Sequence, residues 1–443
     1  MTEITHHPKP GQAWTALSQH LPPRSPNEDA WWKLTGPHMA ALVEAAGYPI
    51  EKQYEALLIL YRWTASIAFI PYLGPSSAPP VWHSQLSHDG GPIEYSWKWN
   101  TASGEPNIRY SIEPIGRSAG TQLDPLNHQA FRELLHGLAT AFPSTDTTWS
   151  HHFLAALYDH DHSKYAQEQE AGTKASTSVM LSTELLRKGP EFKTYFRPSK
   201  LGQGPFLSLA EWETAFSQLD PGNAARASVH EFLESSPEGQ LMKPLTVSVD
   251  NIDPAKSRMK WYFWSPHTNF ASVREIMTLG GRIDTPGISD QFDNLFQLIK
   301  AVLHLPDEFP ETADLPAPKG EDEDGHEVLF RTHWYYFDIA PGKALPEVKI
   351  YIQLRPNGRD DASIAEGLVG WLKAHGRGRY CDGFLRVLAE LAQHRRLDEA
   401  TGIQTFLACQ FKNGELDLTS YLGPEAFHPG RQTSRRATLR RGE

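Results

Sequence analysis

The unit Lys-x-Tyr occurs in three different strand-like stretches of the chain: Lys193/Tyr195, Lys260/Tyr262 and Lys349/Tyr351. In an extended strand, side chains two positions apart leave the same face, so each unit sets an ammonium beside a phenol ring. The stretch SRMKWYFWS (257–265) shows the pattern most sharply. Arg258, Lys260 and Tyr262 share one face, and Met259, Trp261 and Phe263 share the other. Alone, any such unit reads as the wetted side of a half-buried strand. The same alternation elsewhere adds Arg109 and Tyr421 to the polar set. Cations gathered in an interior are costly unless an anion joins them. Arg and Lys together suit a diphosphate, which offers many acceptor oxygens. Tyrosine faces beside it can stabilise a carbocation. The chemistry indicated is ionisation of an allylic diphosphate, with the anion held and the cation screened from water. In GPIEYSWKW (91–99), Glu94 shares a face with Ser96 and Lys98. A carboxylate there can accept the N–H or O–H proton of an aromatic acceptor, or serve as a salt-bridge partner for Lys98 or Arg109.

These residues need strands that present them to one interior. Alternating segments arrive in pairs: 92–100 with 107–115, 176–184 with 191–197, 245–250 with 258–264, 331–339 with 347–354, and 403–411 with 415–421. The links SGEPN (103–107) and Lys412-Asn413-Gly414 carry hairpin-turn residues. Between the pairs run helical apolar stripes: Phe131/Leu134/Leu135/Leu138, Phe292/Leu295/Phe296/Ile299, Ile364/Leu368/Trp371/Leu372 and Phe384/Val387/Leu388/Leu391. The region to about residue 70 also reads as helical, and 73–90 as a loop rich in Pro, Ser and Gly. About ten antiparallel strands in one sheet curl or close as twist accumulates. Closure gives an α+β fold: a barrel with apolar strand faces against surrounding helices and polar faces in the lumen.

With 443 residues and a net charge of -11, the chain is a poor general binder of nucleic acid or anionic membranes. Cys381 and Cys409 offer neither a disulfide framework nor zinc-type spacing. MTEITHHPKP has no apolar signal core, and no apolar run is long enough to span a bilayer, so a cytoplasmic protein is expected. The expected organisation is an N-terminal extension (1–27), one barrel domain (28–425) and a disordered basic tail (426–443). The acidic run KGEDEDG (319–325) reads as a solvated loop. The cluster DHDH (159–162) reads as a helix-end surface group rather than a metal site.

With these motifs in order, the chain resembles the fungal dimethylallyltryptophan synthase-type aromatic prenyltransferases, from about residue 28 to 425. The resemblance is carried by GPIEYS (91–96), IRYSIEP (108–114), FKTYFRP (192–198), DPAKSRMKWY (253–262), TLGG (278–281), PEVKIY (346–351) and QFKNG (410–414). It implies the αββα prenyltransferase barrel, with dimethylallyl diphosphate as co-substrate and no metal or other cofactor. Glu94 falls at the family's acceptor-contacting carboxylate. Arg109, Lys193, Arg258, Lys260 and Lys349 fall at diphosphate-binding positions, the last often Gln among its members. Tyr195, Tyr262, Tyr351, Phe406 and Tyr421 fall at the shield around the dimethylallyl cation. Ser111 and Met180 fall where side-chain size shapes the pocket, and the region of Met180 lacks the lysine base of tryptophan-using members. The sequence likewise has no DDxxD, since Asp360-Asp361 is followed by ASIAE. The partners implied are dimethylallyl diphosphate and a small aromatic acceptor, foremost an indole alkaloid or cyclic dipeptide. A phenolic acceptor such as a tyrosine derivative, xanthone or other polyketide is the alternative, and a non-catalytic barrel binding an anionic aromatic ligand is another. A homodimer is the oligomer to test for; nucleic acid and membrane are not expected partners.

Overall fold

Asn413 and Gly414 both have positive φ, 52° and 79°, and Lys412 pairs with Glu415 across them. This is a two-residue turn whose twist matches the flanking strands, and it closes the last of five hairpins. The computed structural model describes residues 11–64, 82–161, 163–165, 167, 177–198, 206–316 and 332–431. Its strands are β1 (Ile93–Asn100), β2 (Asn107–Ile112), β3 (Val179–Leu186), β4 (Gly189–Phe196), β5 (Lys243–Asp250), β6 (Met259–Trp264), β7 (Trp334–Ile339), β8 (Glu347–Gln353), β9 (Gln404–Lys412) and β10 (Glu415–Leu422). Each pairs antiparallel with its chain neighbours, and β1 pairs with β10 through Tyr95↔Leu422 to Lys98↔Thr419, which closes the barrel. The five hairpin turns lie at one end; the helical connections leave from the other.

The alternation assigns the faces as expected. Trp97, Tyr110, Phe192, Trp261, Tyr335, Phe337 and Leu418 point outward and are buried under helices. All four helical stripes are buried as well. They meet the strands ring to ring: Phe384 lies 5.6 Å from Trp97, Phe292 4.8 Å from Phe411, and Trp212 5.9 Å from Trp261. Burying each such side chain is worth about 1.5–3 kcal/mol, so the hydrophobic core is the annulus between barrel and helices. The lumen is left to polar groups and to one separate aromatic cluster.

Two expectations shift. The β3–β4 ladder runs to Leu186↔Gly189, so the expected gap of 185–190 shrinks to Arg187-Lys188; Gly189 takes φ 139°, while the two turn residues themselves carry no turn signal. The boundary set at 426 falls inside packed chain. Ala426 is buried, Phe427 packs on the core, and the Arg431 guanidinium donates to Leu391 O at 2.6 Å. Residues 432–443 and the acidic run at 319–325 lie outside the described residues. At the other terminus, the helix Gln12–His20 buries Ala13 and sets Trp14 against Trp32 at 4.9 Å. Among the described residues no helix is long and apolar enough to cross a membrane.

Candidate active site

Toward the hairpin-turn end, the lumen carries a network of ions. Asp250, the last residue of β5, pairs in register with Lys193 of β4. Its carboxylate accepts from Lys260 Nζ at 3.0 Å and Arg258 Nε at 3.2 Å, with Lys193 Nζ at 3.7 Å. Lys193 also forms an ion pair with Glu184 of β3. Arg258 donates to Asp338 of β7 at 2.9 Å. Lys98 lies 3.7 Å from Asp417, and Lys349 donates to Thr419 Oγ1 at 3.3 Å. Arg109 donates to Ser96 Oγ at 3.0 Å and to the Tyr421 hydroxyl at 2.5 Å.

The five expected diphosphate ligands are therefore gathered into one lumen, but the expectation that an incoming anion alone compensates them is corrected. Glu184, Asp250, Asp338 and Asp417 already supply counter-charge, because unpaired ammonium groups in this environment would not stay ionised. Burial pushes Asp250 up, yet Lys260, Lys193 and Arg258 outweigh it and hold its carboxyl well below the usual range. Burial likewise opposes Glu184, which Lys193 and Arg109 bring down to about 2. Lys349 has no carboxylate in contact among the described residues. Burial draws its ammonium down to about 8, against the field of Asp417. With Lys98, six cations face these four carboxylates, an excess of positive charge suited to a diphosphate.

Above this network sits the aromatic cluster. Tyr262, Tyr336, Tyr351 and Tyr421 are buried together, with Tyr195, Trp334 and Phe406 packed on them. Tyr262 lies 6.0 Å from Tyr195, 5.3 Å from Tyr336 and 5.8 Å from Tyr351; Tyr351 lies 5.6 Å from Tyr421. Phe406 stands 5.3 Å from Trp334. The structure brings all five expected shield residues into one cage. It adds Tyr336 and Trp334, which sequence reasoning missed.

The opposite end of the lumen is formed by early β1, late β2 and early β3. Glu94 pairs with Ser111, Ser111 with Ser182, and Met180 with Tyr195. Ser111 Oγ donates to Ser182 Oγ at 3.0 Å. Glu94 Oε1 accepts from Thr405 Oγ1 at 2.8 Å. Burial raises the Glu94 carboxyl to about 7, against the Thr405 hydrogen bond and the field of Arg109. A group with that pKa exchanges a proton readily near neutral pH. Along its axis the barrel thus runs from ion network through aromatic cage to a titratable carboxyl. Among the described residues no group of three or more His, Cys, Asp or Glu is placed to hold a metal. Asp159 of the DHDH cluster pairs with Lys164 at 3.3 Å, and His162 lies outside the described residues.

A closed ten-stranded barrel of αββα units ringed by helices is the architecture of the aromatic prenyltransferases, and the comparisons with known proteins agree. The profile of the family described as Tryptophan dimethylallyltransferase matches residues 27–387, and the chain belongs to that family. Xanthone prenyltransferase B of Emericella nidulans is 51% identical over 98% of this chain and 95% of its own length. Prenyltransferase anuH of Penicillium roqueforti is 48% identical over 97% and 96%. Among solved structures, AnaPT from Neosartorya fischeri superposes with a TM-score of 0.76 at 23% identity, covering 93% of this chain and 98% of that one. NotF in complex with brevianamide F and DMSPP superposes at 0.73 and 19%, covering 94% and 99%. The protein is an aromatic prenyltransferase.

Proposed function

We propose that this enzyme transfers a dimethylallyl group from dimethylallyl diphosphate to a ring carbon of a phenolic acceptor of the xanthone or related polyketide class. Arg109, Lys193, Arg258, Lys260 and Lys349 bind the diphosphate. As the allylic C–O bond breaks, the diphosphate leaves with the electron pair and these cations stabilise the growing charge. Tyr195, Tyr262, Tyr336, Tyr351, Phe406 and Tyr421 offer π faces to the cation and exclude water. Glu94 in its ionised form takes the phenol proton as the ring carbon attacks, which gives a prenylated dienone. Loss of the ring proton and return of the proton from Glu94 restore the phenol, so one proton leaves with the diphosphate. Ser111 and Met180 shape the space beside the acceptor. The resemblance supports this chemistry without a metal.

The observation that carries the acceptor class is the half-identical, full-length likeness to a xanthone prenyltransferase, joined by xanthone prenyltransferase A at 42%. The region near Met180, which offers none of the lysine that tryptophan-using relatives employ as a base, supports it. An indole alkaloid or cyclic dipeptide is the second reading, favoured by the family's description. Incubation with dimethylallyl diphosphate and EDTA, offering hydroxyxanthones, hydroxyanthraquinones, tryptophan and an indole cyclic dipeptide, separates them. Prenylated phenol with matching diphosphate release is expected. Product from indoles alone overturns the phenolic assignment, and no release with any of these acceptors puts the true acceptor outside both classes.

A further inference from the structure

Arg197 follows β4 directly, and its backbone N–H donates to Ser178 O at 2.7 Å, so the β3–β4 ladder continues one residue past both strands. Two-residue alternation then sets its side chain on the face of Lys193 and Tyr195, at the end of the barrel where Met180, Ser111 and Glu94 lie. The residue is half-buried. Unlike Lys193, Arg258 and Lys260, its guanidinium has no carboxylate in salt-bridge contact and donates no hydrogen bond among the described residues. The acid whose field acts on it is Glu113. That carboxyl is already engaged by Ser84 Oγ at 2.5 Å, Thr177 Oγ1 at 2.6 Å and Trp82 Nε1 at 2.8 Å.

An unpartnered, half-buried guanidinium is costly, and such violations of local consistency concentrate where function needs them. Its planar fork of donors matches a carboxylate, or two oxygens on adjacent positions, in a bidentate way. The register Glu94↔Ser111↔Ser182↔Lys193 sets Glu94 level with Lys193, so Arg197, just past β4, stands three strand spacings across and four residues along from it, roughly 20 Å along the barrel wall. A two- or three-ring acceptor bridges that separation once both side chains reach inward.

We infer that Arg197 is a specificity-determining residue that takes an anionic oxygen of the acceptor, at the end of the lumen away from the diphosphate. The inference rests on the phenolic reading of the site. It places a carboxylate, or an ionised hydroxyl beside a carbonyl, on the ring system opposite the hydroxyl that meets Glu94.

The test compares a hydroxyxanthone carboxylic acid with its methyl ester as acceptors at saturating dimethylallyl diphosphate. Wild type should prefer the acid, and in Arg197→Met the acid-to-ester ratio of kcat/KM should fall about 10- to 100-fold, as expected for loss of charge-assisted hydrogen bonds. Most of that loss should appear in KM, and Arg197→Lys should restore part of the ratio. A structural role lowers both acceptors together and leaves the ratio unchanged, which overturns the inference while the phenolic reading stands. A wild-type enzyme inert on both phenols and active on an indole overturns that reading and this inference with it.

Discussion

Replacing Glu94 by Gln separates two consequences of one buried carboxyl. Burial raises Glu94 from 4.5 to about 7, so the folded barrel favours the protonated form. The stability this group contributes is full below about pH 4.5 and is lost as pH climbs through about 7. A rise of that size is worth about 3 kcal/mol. Gln keeps an oxygen for the Thr405 hydroxyl and carries no charge. Glu94→Gln should therefore match wild type in urea unfolding near pH 5 and exceed it at pH 8, by up to about 3 kcal/mol. Activity moves the other way. Because the ionised form is the working one, wild-type kcat/KM should rise roughly tenfold between pH 6 and 8. The variant should lose that limb and fall about 10²- to 10⁴-fold on the phenolic acceptor, while diphosphate binding holds. Initial rates by chromatography from pH 5.5 to 8.5, beside the unfolding curves, read both effects. A flat wild-type profile, or a variant with intact turnover, refutes the role given to this carboxyl.

Three further outcomes follow from the lumen. Asp250→Asn removes the carboxylate shared by Lys193, Arg258 and Lys260, which should destabilise the empty protein by about 3 kcal/mol. Added diphosphate should then raise Tm more in the variant than in wild type; equal gains would place the diphosphate elsewhere. Lys349, drawn down to about 8, loses its ammonium above that pH in the empty barrel. Calorimetry in buffers of different ionisation enthalpy should show proton uptake on diphosphate binding near pH 8 in wild type, reduced in Lys349→Gln. An undiminished uptake in the variant would mean another group supplies it. Tyr262→Leu removes the ring that touches three others in the cage, a π face worth about 2 kcal/mol to a desolvated cation. The ratio of dimethylallyl alcohol to prenylated product should rise several-fold by chromatography, and an unchanged ratio would remove Tyr262 from the shield.

The barrel was legible because strand alternation and turn residues reinforce one another. SGEPN and Asn413-Gly414 mark two hairpins, and Lys-x-Tyr marks the inward face of three strands. Arg187-Lys188 escaped because neither residue is a turn former, and only the chain partner reveals the ladder there. Two of the lumen acids escaped for a different reason. Asp250 and Asp338 sit at or next to the ends of their strands, where a carboxylate reads as the start of a loop. Tyr336 and Trp334 were hidden because WYYFDI is aromatic on both faces, so hydropathy does not alternate along it. The cations and tyrosines were found because charged and apolar residues alternate cleanly in their strands. Arg197 lay inside a motif carrying the resemblance, yet its lack of a partner among the described residues is a property of three-dimensional packing. Acceptor choice depends on how side chains from several strands converge, and strand alternation does not encode that.

The most direct measurement is a ternary-complex structure with a non-ionising thiolo analogue of dimethylallyl diphosphate and a hydroxyxanthone. The diphosphate should lie among Lys193, Arg258, Lys260 and Lys349, and the prenyl chain inside the tyrosine cage. The phenol oxygen should lie within hydrogen-bond distance of Glu94. A diphosphate at the Glu94 end, or an acceptor hydroxyl turned away from that carboxyl, would contradict the proposed mechanism.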